Sequence, residues 1–315
     1  MRRGRFDRML VMCLASISSV GCKGEKDGTQ DGPCMQPDFP CVEEACHEPP
    51  FHIACVGSSV VDNEGNPVLD QQVSLCGGGV CGGLVCGNVF LTDATGWFSV
   101  PFPSDVDINN GLSVQFPGRQ WLNPFCRFMD LCDGTVNLCY EFVLYPAPTE
   151  GTPVVVSGIE EDVVIAAPDG ASLVLPAGSS VTHIDFYDPD LRWMALARFP
   201  LEERVPCFLR DQAAPLVLYA VMPQDSLVLE AGTVVLDESY MYAALDLPNY
   251  EDDPPGTEFD VYIVTGREAS LFDMRLGQWE RWTRAVVTPD GSRLQTPPGE
   301  GLNYLTWFGV YRVTP

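Results

Sequence analysis

The chain has 315 residues, of which 46% are hydrophobic and 19% charged, and 18 Lys and Arg against 43 Asp and Glu give a formal net charge of −25. That much apolar content excludes a disordered chain, and the acidic balance excludes a nucleic-acid binder that works by neutralising phosphates with Lys and Arg. With 29 Gly and 27 Pro the sequence predicts many turns between short strands and leaves little room for long helices.

Residues 1–21 carry Arg2, Arg3, Arg5 and Arg8, then an apolar run from Met9 to Ala15, then small residues up to Cys22. This is the layout of a secretory signal peptide, and the run is too short to cross a bilayer, which needs about 20 apolar residues. The Val-Gly-Cys ending resembles the lipobox of bacterial lipoproteins, although Ser19 stands where that pattern usually has Leu. The resemblance implies an acylated Cys22 as the first mature residue and a membrane partner reached through that lipid. Ordinary signal cleavage and secretion is the alternative. Losing residues 1–21 removes four Arg and one Asp, so the mature chain stands at −28. Residues 22–50 read as a polar, Cys-rich stalk that holds Lys23 and Lys26, the only lysines of the chain.

Of the 13 cysteines, ten fall between Cys34 and Cys139: Cys34, Cys41, Cys46, Cys55, Cys76, Cys81, Cys86, Cys126, Cys132 and Cys139. In an exported chain this is a disulfide framework whose connectivity the sequence leaves open. Zinc is the competing reading, but the chain contains no C-x-x-C pair. Cys207, alone among Val205, Pro206, Phe208 and Leu209, is expected to be a buried free thiol.

Residues 51–147 alternate apolar and polar residues between turn segments such as DNEGNP (62–67) and DATG (93–96). Period two with such punctuation predicts antiparallel strands in a β-sandwich. The stretch VGSSVVDNEGNPVLDQQVSLC with the later FLTDATGWFSV resembles the carboxypeptidase regulatory-like domain, a transthyretin-like β-sandwich, through Val61, Asp62, Gly65, Pro67, Thr92, Asp93, Gly96 and Phe98. That family implies a non-catalytic accessory or binding module and brings no active site. The residues themselves predict turns capped by Asp62 and Asp93, positive φ at Gly65 and Gly96, and Phe98 in the core.

PAPTEGTP (146–153) breaks the pattern, and residues 153–315 form a second β-rich module, so the fold class is all-β with two or more antiparallel β-sandwich modules. Its strands are read from SLVLPAG at 172 to NYLTWFGVYRV at the C-terminus. LPAG, WERWTRAVVTPDGSRL and the closing aromatic strand resemble ZU5-type β-modules, which serve as interaction domains.

The search for chemistry returns little. HEPPFH spaces His47 and His52 five apart with Pro49 and Pro50 between them, so it cannot act as a helical H-E-x-x-H zinc motif. No G-x-S-x-G elbow, P-loop or dinucleotide fingerprint occurs, so neither a catalytic residue nor a cofactor is assigned. Asp105, Asp107 and Asn109 alternate like the start of an EF-hand loop, but Asn110 and Phe116 occupy its Gly and Glu positions. Calcium there competes with an ordinary solvated turn, as it does in the acidic loops at Asp185, Asp188 and Asp190 and at Glu251, Asp252 and Asp253. Trp279, Trp282, Tyr240 and Tyr242 read either as core or as an exposed platform for a sugar or protein. The resulting expectation is a non-catalytic cell-envelope lipoprotein that presents β modules to an envelope protein or glycan. The alternative is a secreted hydrolase of carbohydrate or peptide using carboxylates of the second module, for which Glu160, Glu161 and Asp162 are weak candidates.

Overall fold

The computed structural model describes residues 41–42, 44–79, 84–86, 89–102, 107–129, 131–156, 158–183, 192–201, 205–210, 212–233, 239–266 and 277–313. The signal segment, Cys22, Cys34, Cys81, Asp105, Asp185, Asp188 and Asp190 lie outside these residues. The described chain is β-structure, joined by turns and one 3₁₀ turn at Cys207–Leu209.

The first body contains β1 (Cys41–Val42), β2 (Phe51–Asp62), β3 (Gln72–Gly79), β4 (Leu84–Cys86) and β5 (Phe90–Leu91). It continues with β6 (Trp97–Pro101), β7 (Asp107–Gln115), β8 (Trp121–Leu122), β9 (Cys126–Phe128) and β10 (Gly134–Pro146). These strands form one sheet system in the order β1-β10-β2-β7-β3-β4, with β5, β6, β8 and β9 branching from it. Most pairs are antiparallel, but β10 runs parallel to both β1 and β2. A parallel neighbour needs a long connection, and the chain between β2 and β10 supplies one.

The predicted turns form as their residues dictate. One Asp62 carboxylate oxygen accepts from the amides of Glu64 (2.9 Å) and Asn66 (2.8 Å). Hydrogen bonds led by the Asn66 side chain hold its pKa below the usual carboxylate value. Asp93 repeats the device on the amides of Thr95 and Trp97. Gly65 and Gly96 have φ of +90° and +75°. A Cβ on Gly96 would strike the Val60 carbonyl, whereas one on Gly65 would meet open space. Phe98 is 1% exposed and packs beside Phe142 in the first core with Val60, Val100 and Leu144.

The second body begins with β11 (Thr152–Pro153), β12 (Val163–Ala166), β13 (Ser172–Leu175), β14 (Ser179–Thr182), β15 (Trp193–Phe199) and β16 (Val217–Met222). It then adds β17 (Ser226–Glu230), β18 (Ala244–Pro248), β19 (Glu258–Val264) and β20 (Trp279–Val287). Last come β21 (Arg293–Gln295), β22 (Tyr304–Leu305) and β23 (Trp307–Arg312). A long antiparallel sheet runs β11-β15-β16-β23-β19-β20-β21-β18-β13-β12, and β14-β17-β22 form a smaller one. Leu173, Val217, Tyr219, Val261, Phe259 and Phe308 belong to the core inside.

Between the two cores lies a third apolar layer. Val61, Leu122, Phe125, Val143, Tyr145 and Ala147 of the first body meet Ala195, Phe199, Phe208, Leu218, Met222 and Trp307 of the second. Along β16, Val217, Tyr219 and Val221 enter the second core, while Leu218, Ala220 and Met222 enter this seam. A strand buried on both faces must be apolar at every position, and all six of its residues are buried. Tyr145 meets Phe199 edge-on at 4.2 Å between ring centroids, and Phe199 and Phe208 both lie 5.5 Å from Trp307. The Trp307 indole N–H donates to the Asn123 carbonyl at 2.7 Å, and the Asn123 amide donates to Gln224 Oε1 at 2.6 Å.

A disulfide crosses the same seam. Cys126 on β9 is bonded to Cys207 in the 3₁₀ turn, with Cα atoms 5.5 Å apart. This corrects the expectation of a free Cys207 thiol: the cysteine is isolated in sequence, but the seam brings its turn onto β9. A second bridge, Cys46–Cys132, ties the end of the stalk to the first body. Cys55 and Cys76 are also disulfide-bonded. The side chains of Cys41, Cys86 and Cys139 lie outside the described residues. Each loop-closing bridge stabilises by about 2–4 kcal/mol, and bridges of this kind persist in oxidising compartments, as in exported proteins. Among the described residues no helix is long and apolar enough to cross a membrane.

The two motif glycines respond differently to substitution. Gly65→Ala costs about 1–2 kcal/mol, the left-handed penalty alone, and Gly96→Ala costs more because the Val60 carbonyl must also move. Urea denaturation of both variants checks this order, and equal losses would contradict it.

Candidate functional site

An open depression of about 880 Å³ lies along β20 of the second body. Arg281, Trp282, Thr283 and Arg284 line it from one side, and Tyr242, Glu300 and Asn303 from the other. Four consecutive strand residues line a groove only when the edge of the strand faces it, because successive side chains leave a strand on opposite faces. The pairing explains why this edge is open. β20 pairs with β19 along its length but meets β21 only at Val286 and Val287. Among the described residues, the sheet therefore splits beside residues 279–285.

The ladder also breaks within that edge. Val261 lies opposite Thr283 and Tyr262 opposite Arg281, so Trp282 is the extra residue of a β-bulge. Its indole is half-buried against the second core, and its N–H donates to Asn303 Oδ1 at 3.0 Å. Asn303 is 5% exposed, and Tyr242 at the rim is 45% exposed. Arg281 contacts Asp260 at 2.6 Å, while Arg284 lies between Glu300 at 3.3 Å and Glu258 at 3.7 Å. Both guanidinium groups are exposed, and such ion pairs contribute only about 0–1 kcal/mol. They can exchange partners at little cost.

The predicted aromatic quartet is divided by this geometry. Trp282 and Tyr242 share the groove, whereas Trp279 stacks on Phe208 at 5.2 Å beside the seam and donates to Tyr311 at 3.0 Å. Tyr240 packs against the second core. A smaller depression of about 360 Å³ includes Leu216, Glu251, Tyr311 and Arg312. There Arg312 bridges Glu251 and Asp253, at 2.5 and 2.8 Å, so part of the acidic loop at 251–253 is neutralised. Each depression is lined by one carboxylate, Glu300 or Glu251, and each carboxylate is paired with an arginine. Asp162 accepts the Ala177 amide at 2.8 Å, and Glu160 and Glu161 are exposed.

Two polar clusters lie elsewhere. His47 Nε2 contacts Asp133 at 3.1 Å, the His52 amide donates to Asp133 at 2.7 Å, and His52 Nδ1 lies 2.9 Å from Asp107. The calcium candidate Asp107 therefore has a histidine partner, and Asn109 is exposed on β7. No group of three His, Cys, Asp or Glu suited to a metal ion occurs among the described residues. In the second body, the Tyr219 hydroxyl bonds both Asp169 and Tyr250, and Arg198 lies 5.0 Å over the Tyr250 ring. Burial raises the pKa of both tyrosines, Tyr250 to about 12, so at neutral pH they act as hydrogen-bond donors that tie the 167–171 turn to β16.

No family model matches the chain, and no curated protein matches it in sequence. Among solved structures it is similar to BcpA, the major pilin subunit of Bacillus cereus, at 9% identity and a TM-score of 0.23, covering 78% of this chain and 85% of that one. It is also similar to the Bacillus anthracis TIE protein at 8% identity and a TM-score of 0.21, covering 83% of this chain and 48% of that one. With superpositions this loose, the architecture rests on the sheets described above.

The ionisable groups predict an acid limit to stability. Hydrogen bonds from Thr288 and Ser292 hold Asp290 at about 2. The His52 amide and His47 lower Asp133, while at Asp246 burial works upward but is outweighed by Arg293 and Gln295. With folded values below unfolded ones, these carboxylates stabilise fully above about pH 4. That contribution is lost as pH falls through the folded values. His47 has the opposite sign: its raised pKa stabilises below about 6.5 and fades as pH rises. Thermal melting between pH 2 and 6 should show Tm falling as pH drops below 4, and a Tm that rises over that range would contradict these assignments.

Proposed function

We propose that the chain is an exported, non-catalytic lipoprotein of the cell envelope that holds a rigid β body off the membrane for binding or structural work. The observation that carries this reading is the seam. A buried aromatic layer and the Cys126–Cys207 bridge join the two bodies, which suits a protein that presents a surface at a fixed geometry. The Cys46–Cys132 bridge and the parallel pairing of β1 with β10 attach the stalk to the same body, so a lipid on Cys22 would anchor the whole unit. The resemblance of residues 51–147 to the carboxypeptidase regulatory-like domain agrees with this role. Its motif residues Asp62, Gly65, Asp93 and Gly96 serve as turn residues, and Phe98 fills the core.

The alternative reading, a secreted hydrolase, would need two convergent carboxylates, and each of the two depressions described above is lined by one among the described residues. The partners proposed are the membrane, reached through the lipid, and an envelope protein or glycan reached through the β surface. Growth with radiolabelled palmitate tests the anchor. The account predicts label in the wild-type protein and none in Cys22→Ser. An unlabelled wild-type protein recovered from the medium would contradict it.

A further inference from the structure

We infer that the chain is a client of a thiol–disulfide isomerase, whose thiolate moves Cys126 and Cys132 out of a bond with each other and onto Cys207 and Cys46. This rests on the reading of the chain as exported, because oxidising compartments are where such bridges form and persist.

The connectivity carries the inference. Cys46–Cys132 spans 86 residues and Cys126–Cys207 spans 81, and the two loops interleave, with Cys126 inside the first and Cys132 inside the second. Neither bond joins cysteines that are neighbours in sequence. Cys126 and Cys132 are 6 residues apart, and Cys207 is the last cysteine of the chain. In a chain that enters an oxidising compartment from its N-terminus, Cys132 follows Cys126 at once, whereas Cys207 arrives 75 residues later. Even in the complete unfolded chain, closing a loop of 6 residues is favoured over one of 81 by about fiftyfold, the 3/2 power of their ratio. Oxidation before folding therefore joins Cys126 to Cys132, two cysteines that belong to different bridges in the fold.

The correction is redox-neutral on these sulfurs. The enzyme thiolate attacks Cys132 Sγ, the Cys126–Cys132 bond breaks, and its electron pair leaves on Cys126 as a thiolate. The Cys46 thiolate then attacks Cys132 in the mixed disulfide, forms Cys46–Cys132 and releases the enzyme thiolate. Cys126 and Cys207 are left as thiols. Their bond forms by passing two electrons and two protons to a disulfide oxidant, which becomes a dithiol.

Burial fixes when this happens. Cys126 is 0% exposed, Cys207 packs against the first core, and the seam takes in Phe208 and Leu209 of the same turn. A sulfur so placed is closed to an enzyme thiolate, so Cys126 is corrected before the two bodies dock. Cys46 is exposed, and its bridge stays within reach of exchange in the folded protein.

Oxidative refolding of the reduced mature chain tests this, with Cys22→Ser to remove the unacylated thiol and non-reducing peptide mapping to read the bonds. One arm uses diamide, an oxidant that supplies no thiol, and the other uses reduced with oxidised glutathione, which permits exchange. Cys126–Cys132 should dominate in diamide, and Cys46–Cys132 with Cys126–Cys207 in glutathione. A Cys46→Ser, Cys132→Ser double variant leaves Cys139, 13 residues away, as the nearest competitor for Cys126. Its yield of Cys126–Cys207 in diamide should rise about threefold over the wild type. Native pairing of the wild type in diamide alone overturns the inference, as does a double variant that gains nothing. Neither result bears on palmitate incorporation at Cys22, so failure of this inference and failure of the anchored-lipoprotein reading are distinguishable.

Discussion

The seam around Trp307 is the constraint on which the rest of the structure depends. Trp307 is fully buried, receives the rings of Phe199 and Phe208, and spends its N–H on the Asn123 carbonyl of the other body. Each sheet that contributes to this layer therefore has two apolar faces. β10 sends Phe142 and Leu144 into the first core and Val143 and Tyr145 into the seam, and β16 divides its residues the same way. Three stacked apolar layers follow from that division, and the Cys126–Cys207 bridge links the 3₁₀ turn of the second body to the first core.

The groove depends on the same arrangement from a distance. β20 enters the seam region with Trp279, stacked on Phe208, and three residues later contributes Trp282 to the groove wall. Its first residues are fixed by packing and its last two by β21, which leaves the intervening edge held by β19. Among the described residues no second strand on that side demands a matching register, so the bulge is tolerated there.

Much of the fold was legible in the sequence because strands and turns are local. Alternation in GWFSVPF and EFDVYIVTG, and the Asp and Gly residues of DNEGNP and DATG, mark structures whose hydrogen bonds close within a few residues. The run PLVLYAVM also marked a strand, but its lack of alternation records burial on two faces, and only the fold says against what. Two-residue strands such as β1, β8 and β11 contain too little pattern to be seen. Cys207 was misread because isolation along the chain says nothing about isolation in space. The groove was half legible: Trp282 and Tyr242 stood out, yet their grouping with Trp279 failed because a spacing of three places Trp279 and Trp282 on opposite faces of a strand.

The account stands on the two bodies being one rigid unit, and a distance distribution between them measures that directly. Spin labels introduced through non-natural amino acids at exposed Glu64 and Glu160 would report across the seam without disturbing the cysteines. Double electron–electron resonance should give a single narrow distance. It should stay narrow in a Cys126→Ser, Cys207→Ser double variant, because the aromatic layer remains. A broad or multimodal distribution in the oxidised wild-type protein would mean that the bodies move independently and would contradict the account.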